Sequence, residues 1–232
     1  MKKELLVFGS NGALGGGVTE VFLTKDYDKI HLFGSRNEID VLQSNTVFHQ
    51  IKDLVVEENV EEAFKVISPN KSKLFFLFST VGGFEGGKKL WDTDLASWEK
   101  MMKMNLQSSF LIAKYFSRIV KASAGGSICF TAAYTGAFPE ANKAAYGTAK
   151  GGLIHFVKLL AEDGREIKLT VNAVAPFIID TPANRAWMKD ADFNSWIKAK
   201  EIGEFVHSLF DNFHFINGNI FTFKERLQVE EI

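Results

Sequence analysis

Leu5-Leu6-Val7-Phe8 runs straight into Gly9-Ser10-Asn11-Gly12-Ala13-Leu14-Gly15-Gly16-Gly17, and a helical pattern follows from about Leu14 to Lys25. Four apolar residues ending in glycine read as a buried strand, and the glycines let the next helix begin beside that strand's carboxyl end. At such a junction the first N–H groups and the dipole of the helix face the same way, which favours a pyrophosphate. No Gly-Lys-Ser/Thr follows at the spacing of a P-loop. The turn is therefore expected to cradle a dinucleotide with Gly9, Ser10, Asn11, Gly12, Ala13, Leu14 and Gly15.

Outward from this turn the same pairing of short apolar run and longer helical pattern recurs. Strands are expected at Ile30–Phe33, Thr46–His49, Leu74–Phe78, Ser127–Thr131, Leu169–Val174 and Ile220–Phe223, seven with the first. Helical patterns cover about Glu57–Ile67, Leu95–Ala122 and Ala144–Glu162. The unbroken run Leu74-Phe75-Phe76-Leu77-Phe78 suits a strand covered on both faces. Alternating strands and helices predict an α/β fold, a Rossmann-type doubly wound parallel sheet with helices on both faces, and a ligand at the carboxyl ends of the strands where the winding reverses.

Composition narrows the function. The 232 residues carry 27 Lys and Arg against 28 Asp and Glu, so neither nucleic acid nor an anionic membrane is an expected partner. The lone Cys129, in an apolar run, excludes an intrachain disulfide and reads as a small core residue. The five histidines show no metal-ligand spacing, and no metal is expected. No apolar run approaches the ~20 residues of a membrane span, and the basic opening precedes an apolar stretch too short for a signal peptide, so a cytoplasmic location is expected. The 22 phenylalanines, without a polar handle, belong mostly in the core.

Two further patterns carry chemistry. After the second expected strand, where a dinucleotide's adenosine ribose would be read, stands Gly34-Ser35-Arg36-Asn37 rather than an acidic residue. Arginine pairs with a 2′-phosphate and serine donates to one, so NADP(H) is favoured over NAD(H), with Ser35 and Arg36 as readers. Asp53, after the third strand, can accept a bond from the adenine amino group. Tyr146-Gly-Thr-Ala-Lys150 sets a phenol and an ammonium four residues apart on one helix face. A cation beside a phenol is expected to lower its pKa toward the working range of a general acid–base.

With the glycine turn, Asn105-Leu106, Tyr146/Lys150 and Val171-Asn172-Ala173-Val174-Ala175-Pro176 leading to Thr181, the chain resembles the short-chain dehydrogenase/reductase family over nearly its whole length. The resemblance implies a single domain spanning residues 1–232 with a seven-stranded sheet, and substrate loops at about 82–90 and 177–200. It implies Tyr146, Lys150 and Asn105 as catalytic residues, Asn105 kinking its helix and holding a water in the proton relay. Lys150 would also bond the nicotinamide ribose, and Pro176, Ile179 and Thr181 would meet the nicotinamide. It further implies a small-molecule substrate and a homodimer or homotetramer, joined through the helices carrying Asn105 and Tyr146.

Three residues depart from the family pattern: Ala13 stands for the middle glycine of the turn, Phe177 for the glycine after Pro176, and Ala133 for the serine 13 residues before the tyrosine. Loss of that hydroxyl removes a donor to a substrate carbonyl. The GALG turn, Gly82-Gly83-Phe84-Glu85-Gly86-Gly87, the alanine at 133, Thr181-Pro-Ala-Asn-Arg185 and Ala191-Asp-Phe-Asn-Ser-Trp196 are similar to the quinonoid dihydropteridine reductase branch. That branch differs in preferring NADH, with an acidic residue after its second strand, and in lacking the Asn105 signature. The resulting expectation is hydride transfer from NAD(P)H to a small conjugated substrate such as a quinonoid dihydropterin, an electron-poor system that needs less carbonyl polarisation. A carbonyl reductase or alcohol dehydrogenase with a substituted serine is the alternative, and a non-catalytic dinucleotide-binding regulator a third. Phe84, Trp91, Phe138, Trp187 and Trp196 are candidates for the substrate end.

Overall fold

A computed structural model describes residues 1–35 and 43–227. Seven parallel strands form one sheet in the order β3-β2-β1-β4-β5-β6-β9, where β1 is Lys2–Phe8, β2 Lys29–Gly34, β3 Thr46–Gln50, β4 Lys73–Ser79, β5 Gly125–Thr131, β6 Leu169–Pro176 and β9 Ile220–Phe223. These are the seven expected strands, most a residue or two longer. A two-stranded parallel pair, β7 (Ile179–Asp180) with β8 (Ile197–Lys198), was not expected and stands apart from the sheet.

The apolar runs explain the layering. Along β4, Phe75 and Leu77 join a core with α2 (Glu57–Phe64), α4 (Ser108–Lys121) and α6 (Ala144–Gly164). Leu74, Phe76 and Phe78 point the other way, into a core with α1 (Ala13–Phe22) and α8 (Ala199–Asp211). Period-two alternation with both faces covered is why the strand reads as continuous hydrophobicity. Phenylalanine fills both layers: Phe8 stacks on Phe33 at 4.3 Å, and Phe22 meets Phe78 edge-on at 6.3 Å. Cys129 is buried, as its surroundings implied.

The strand order reverses between β1 and β4, which places the crevice at the ends of those two strands. The long helical segment expected from Leu95 to Ala122 is not one α-helix. It divides into α3 (Leu95–Met102), a π-helical turn over Lys103–Gln107, and α4. Asn105 lies at the middle of this π turn, so the irregularity expected there takes this form. Among the described residues the remaining α-helices are short, α5 (Tyr134–Ala137) and α7 (Pro182–Trp187). Among the described residues no helix is long and apolar enough to cross a membrane.

Candidate active site

Two adjoining hollows open at the crevice and share Thr80 and Gly82, the residues just beyond β4. The first, of about 860 Å³, is lined by Gly9, Asn11, Gly12, Ser35 and Asp53 among others. The second, of about 450 Å³, reaches Leu14, Ala133, Tyr146, Lys150, Pro176, Phe177 and Ile179.

The first hollow has the local chemistry of an anion cradle. Gly12 caps α1 with extended backbone and no side-chain hydrogen bond, so the first N–H groups of the helix keep no side-chain partner. At Gly15 a Cβ would collide with the Gly9 carbonyl oxygen, so only glycine lets the helix start this close to the strand. Gly9 and Ser10 donate their N–H groups to the Phe33 carbonyl oxygen at 2.8 and 3.1 Å, tying the turn to β2. Among the described residues the Ser10 hydroxyl and the Asn11 amide nitrogen have no hydrogen-bond partner; Asn11 lines the hollow, whereas Ser10 is fully buried and lines neither hollow. An unpartnered amide at an uncapped helix start fits a bound pyrophosphate and ribose. Ala13, in place of a glycine, is the first residue of α1. Asp53 lines the hollow, and its Oδ1 accepts the Val55 N–H at 3.1 Å, so one oxygen is engaged in its own turn. Arg36 lies outside the described residues.

In the second hollow α6 presents Tyr146 and Lys150 together. Lys150 is completely buried and donates to the Thr131 carbonyl oxygen at 2.7 Å. Burial without a counter-charge lowers its pKa to about 7. Its ammonium stands 6.0 Å from the centre of the Tyr146 ring. The expected lowering of the phenol by this lysine does not occur: burial, and after it the Glu140 carboxylate, raise the Tyr146 pKa to about 12. The phenol is therefore held as a proton donor across the neutral range.

Asn105 is fully buried behind this pair. Its Oδ1 accepts the Gly83 N–H at 3.1 Å, and its Nδ2 donates to the carbonyl oxygens of Gly83 at 3.0 Å and Met101 at 3.1 Å. The side chain thus clamps the loop after β4 instead of reaching into the hollow. Ala133 lines the hollow with extended backbone and offers no hydroxyl. Of the side chains that stand near it, Thr131 Oγ1 donates to the Ser79 carbonyl oxygen at 2.9 Å, whereas the buried Thr135 Oγ1 has no partner among the described residues.

The nicotinamide-side expectations fare unevenly. Pro176 and Ile179 line the hollow. Thr181 caps α7, its Oγ1 accepting the Asn184 N–H at 3.2 Å, and is not among the lining residues. Of the five aromatic candidates, Phe84 and Trp187 line the hollow, 6.1 Å apart, and Phe84 meets the Tyr146 ring edge-on at 5.0 Å. Trp91 is exposed, Trp196 is buried against Phe193, and Phe138 stacks on Tyr134 outside the lining. Glu140 and Lys143, which sequence reading did not single out, line it as well. They stand three residues apart just before a helix, a spacing that ordinarily marks a solvated pair.

A family model described as "short chain dehydrogenase" matches residues 3–192. A dihydropteridine reductase of Dictyostelium discoideum is 30% identical, with 99% of this chain and 97% of that protein aligned. A human 3-oxoacyl-[acyl-carrier-protein] reductase is 25% identical over 89% of this chain and 87% of its own length. Among solved structures, that of ElxO with NADP bound superposes with a TM-score of 0.84 at 21% identity, covering 97% of this chain and 98% of that one.

Proposed function

This chain belongs to the short-chain dehydrogenase family and is an NAD(P)-dependent oxidoreductase, and from that premise we propose that it reduces a small, flat, conjugated substrate of the quinonoid dihydropterin type. The observation that carries this reading is the Tyr146 phenol set in an aromatic-walled hollow where Ala133 leaves no hydroxyl to polarise a carbonyl. An electron-poor conjugated imine needs a proton donor more than it needs carbonyl polarisation. The likeness to the Dictyostelium dihydropteridine reductase over nearly the full chain supports the same choice.

A nicotinamide, when bound, would supply the hydride. The chain's own residues do the rest. Gly9, Ser10, Asn11, Gly12, Ala13, Leu14 and Gly15 would hold the pyrophosphate end, Asp53 the adenine, and Pro176 and Ile179 the nicotinamide end, with Thr181 beside them capping α7. Tyr146 donates the proton from its hydroxyl to the substrate nitrogen. Lys150, with a pKa of about 7, exchanges protons at neutral pH and returns one to the phenolate, and it bonds the nicotinamide ribose. Asn105 acts by fixing the Gly83 backbone beside the reacting ring. With no carboxylate in Gly34-Ser35-Arg36 to repel a 2′-phosphate, NADP(H) is favoured over NAD(H).

The test is a steady-state assay of quinonoid dihydropterin beside a panel of ketones and aldehydes, with NADH and NADPH in parallel. The dihydropterin should give the highest kcat/KM, and Tyr146→Phe should lower its kcat by about 10²–10⁴-fold while cofactor affinity holds. A ketone or aldehyde turned over more efficiently would replace this reading with that of a carbonyl reductase. Full turnover by Tyr146→Phe would remove the phenol from the mechanism.

A further inference from the structure

The polar groups of the substrate hollow are largely committed to the protein itself. Thr80 Oγ1 donates to the carbonyl oxygens of Phe8 and Gly9, Thr131 Oγ1 to Ser79, Lys150 to Thr131, and the Asn184 amide nitrogen to Ile179. Among the described residues, the charged groups left facing the hollow are Glu140 and Lys143, paired at 2.8 Å. Both are half-buried, with side chains 28% and 27% exposed. Lys143 also stands over the Phe84 ring, 5.9 Å from its centre, and Phe84 is the ring that meets Tyr146. The Gly87 N–H bonds to the Asn142 carbonyl oxygen at 2.8 Å, so the loop bearing Phe84 and the loop bearing the pair are joined. A carboxylate and an ammonium are thereby held side by side at the edge of an aromatic slot that ends at the reactive phenol.

We infer that Glu140 and Lys143 are specificity-determining residues that read a contiguous N–H and C=O edge on a flat heterocyclic substrate, the carboxylate accepting the N–H and the ammonium donating to the carbonyl oxygen. This rests on the reading of the chain as a reductase of a quinonoid dihydropterin, whose pyrimidine ring carries such an edge with its carbonyl next to the reducible imine. A half-exposed ion pair contributes little to stability, so parting it to admit a ligand is cheap. The new bonds would be charge-assisted and partly shielded from water, where they are strongest. A simple ketone or aldehyde has no N–H beside its carbonyl, so drawing the ammonium to its oxygen would part the ion pair with nothing to replace it on the carboxylate, and the pair also discriminates against such substrates.

The experiment compares wild type, Glu140→Gln and Lys143→Met at pH 7 with saturating NADPH. Its substrates are a quinonoid 6-methyldihydropterin, the same compound methylated at N3, and a simple ketone. Wild type should show a KM about tenfold or more higher for the N3-methyl compound. Glu140→Gln should raise KM for the parent by a similar factor, hold kcat within about threefold, and add nothing further against the N3-methyl compound. Lys143→Met should raise KM for both, since both keep the carbonyl. Unchanged KM for the parent in Glu140→Gln, or a loss confined to kcat, overturns the inference while leaving the reductase reading intact. Wild type that reduces neither dihydropterin but does reduce a ketone overturns both.

Discussion

Replacing Lys150 by Met should make the protein more stable at neutral pH while removing its activity. The ammonium is buried and, among the described residues, has one hydrogen-bond partner, the Thr131 carbonyl oxygen at 2.7 Å, and burial brings its pKa from 10.5 down to about 7. That fall corresponds to a penalty on the order of 4 kcal/mol on the folded state at pH 7. Methionine fills nearly the same volume without the charge, but it gives up one hydrogen bond and leaves the carbonyl unpaired, which costs about 2 kcal/mol. The net gain is about 2 kcal/mol, or roughly 4–8 °C in Tm for a chain of this size. The sign of the pH dependence is distinctive. Below pH 7 the lysine is protonated in both states and the penalty is complete. Between pH 7 and 10.5 the unfolded chain binds the proton and the folded one does not, so wild-type stability rises by about 1.4 kcal/mol per pH unit. The variant's advantage should therefore be largest at pH 6 and change sign between about pH 8 and 9.5. Urea unfolding of both cofactor-free proteins, at equal concentration and followed by tryptophan fluorescence, reads this directly. A wild type more stable than the variant at pH 6, or a difference that does not vary with pH, would refute the buried-charge reasoning.

Gly82→Ala places a Cβ 2.6 Å from Asn105 Oδ1 and 3.1 Å from Lys150 Nζ at a φ of +149°, so stability should fall by about 2 kcal/mol or more and kcat with it; a variant with wild-type Tm and kcat would show that the clamp on this loop is dispensable. Arg36→Ala should reduce NADPH affinity tenfold or more and leave NADH affinity within about threefold; an unchanged preference by titration of both cofactors would end the 2′-phosphate assignment. Because the Glu140 carboxylate contributes to raising Tyr146, Glu140→Gln should move the alkaline limb of kcat for reduction to lower pH; a limb that stays in place or moves upward would mean that the limb does not report this phenol.

Much of the fold was legible because its signals are local and repeated. A run such as Leu74–Phe78 can be covered on both faces only inside a sheet, and seven runs of this kind arrive in the chain order of a doubly wound fold. The π turn at Lys103–Gln107 was less legible, since Lys-Met-Asn-Leu-Gln holds neither proline nor glycine and departs from helical periodicity by one residue. In the site, the glycine turn and the Tyr146/Lys150 spacing announced themselves, whereas the direction of the phenol's pKa did not. A four-residue spacing brings lysine near tyrosine but does not say whether charge or burial dominates; here Nζ turns to the Thr131 carbonyl oxygen and burial prevails. Glu140 and Lys143 were passed over for the opposite reason. Their spacing is that of any surface pair, and only the fold of two distant loops turns them inward.

The π turn has a consequence for how this protein can change. One residue of an α-helix advances about 100°, so the extra residue between α3 and α4 works as a phase shifter along an otherwise continuous rod. Before it, Met101 faces Ala145 and Ala149 and forms the back wall behind Tyr146; after it, Leu111, Ile112 and Phe116 face the sheet. Deleting a single residue there would leave every side chain chemically intact yet rotate one half of the rod against the other. Either the wall behind the phenol or the packing on the sheet would then face water. Insertions and deletions in this segment should consequently be tolerated far less than substitutions, which sets a strict length on a stretch whose composition looks unremarkable.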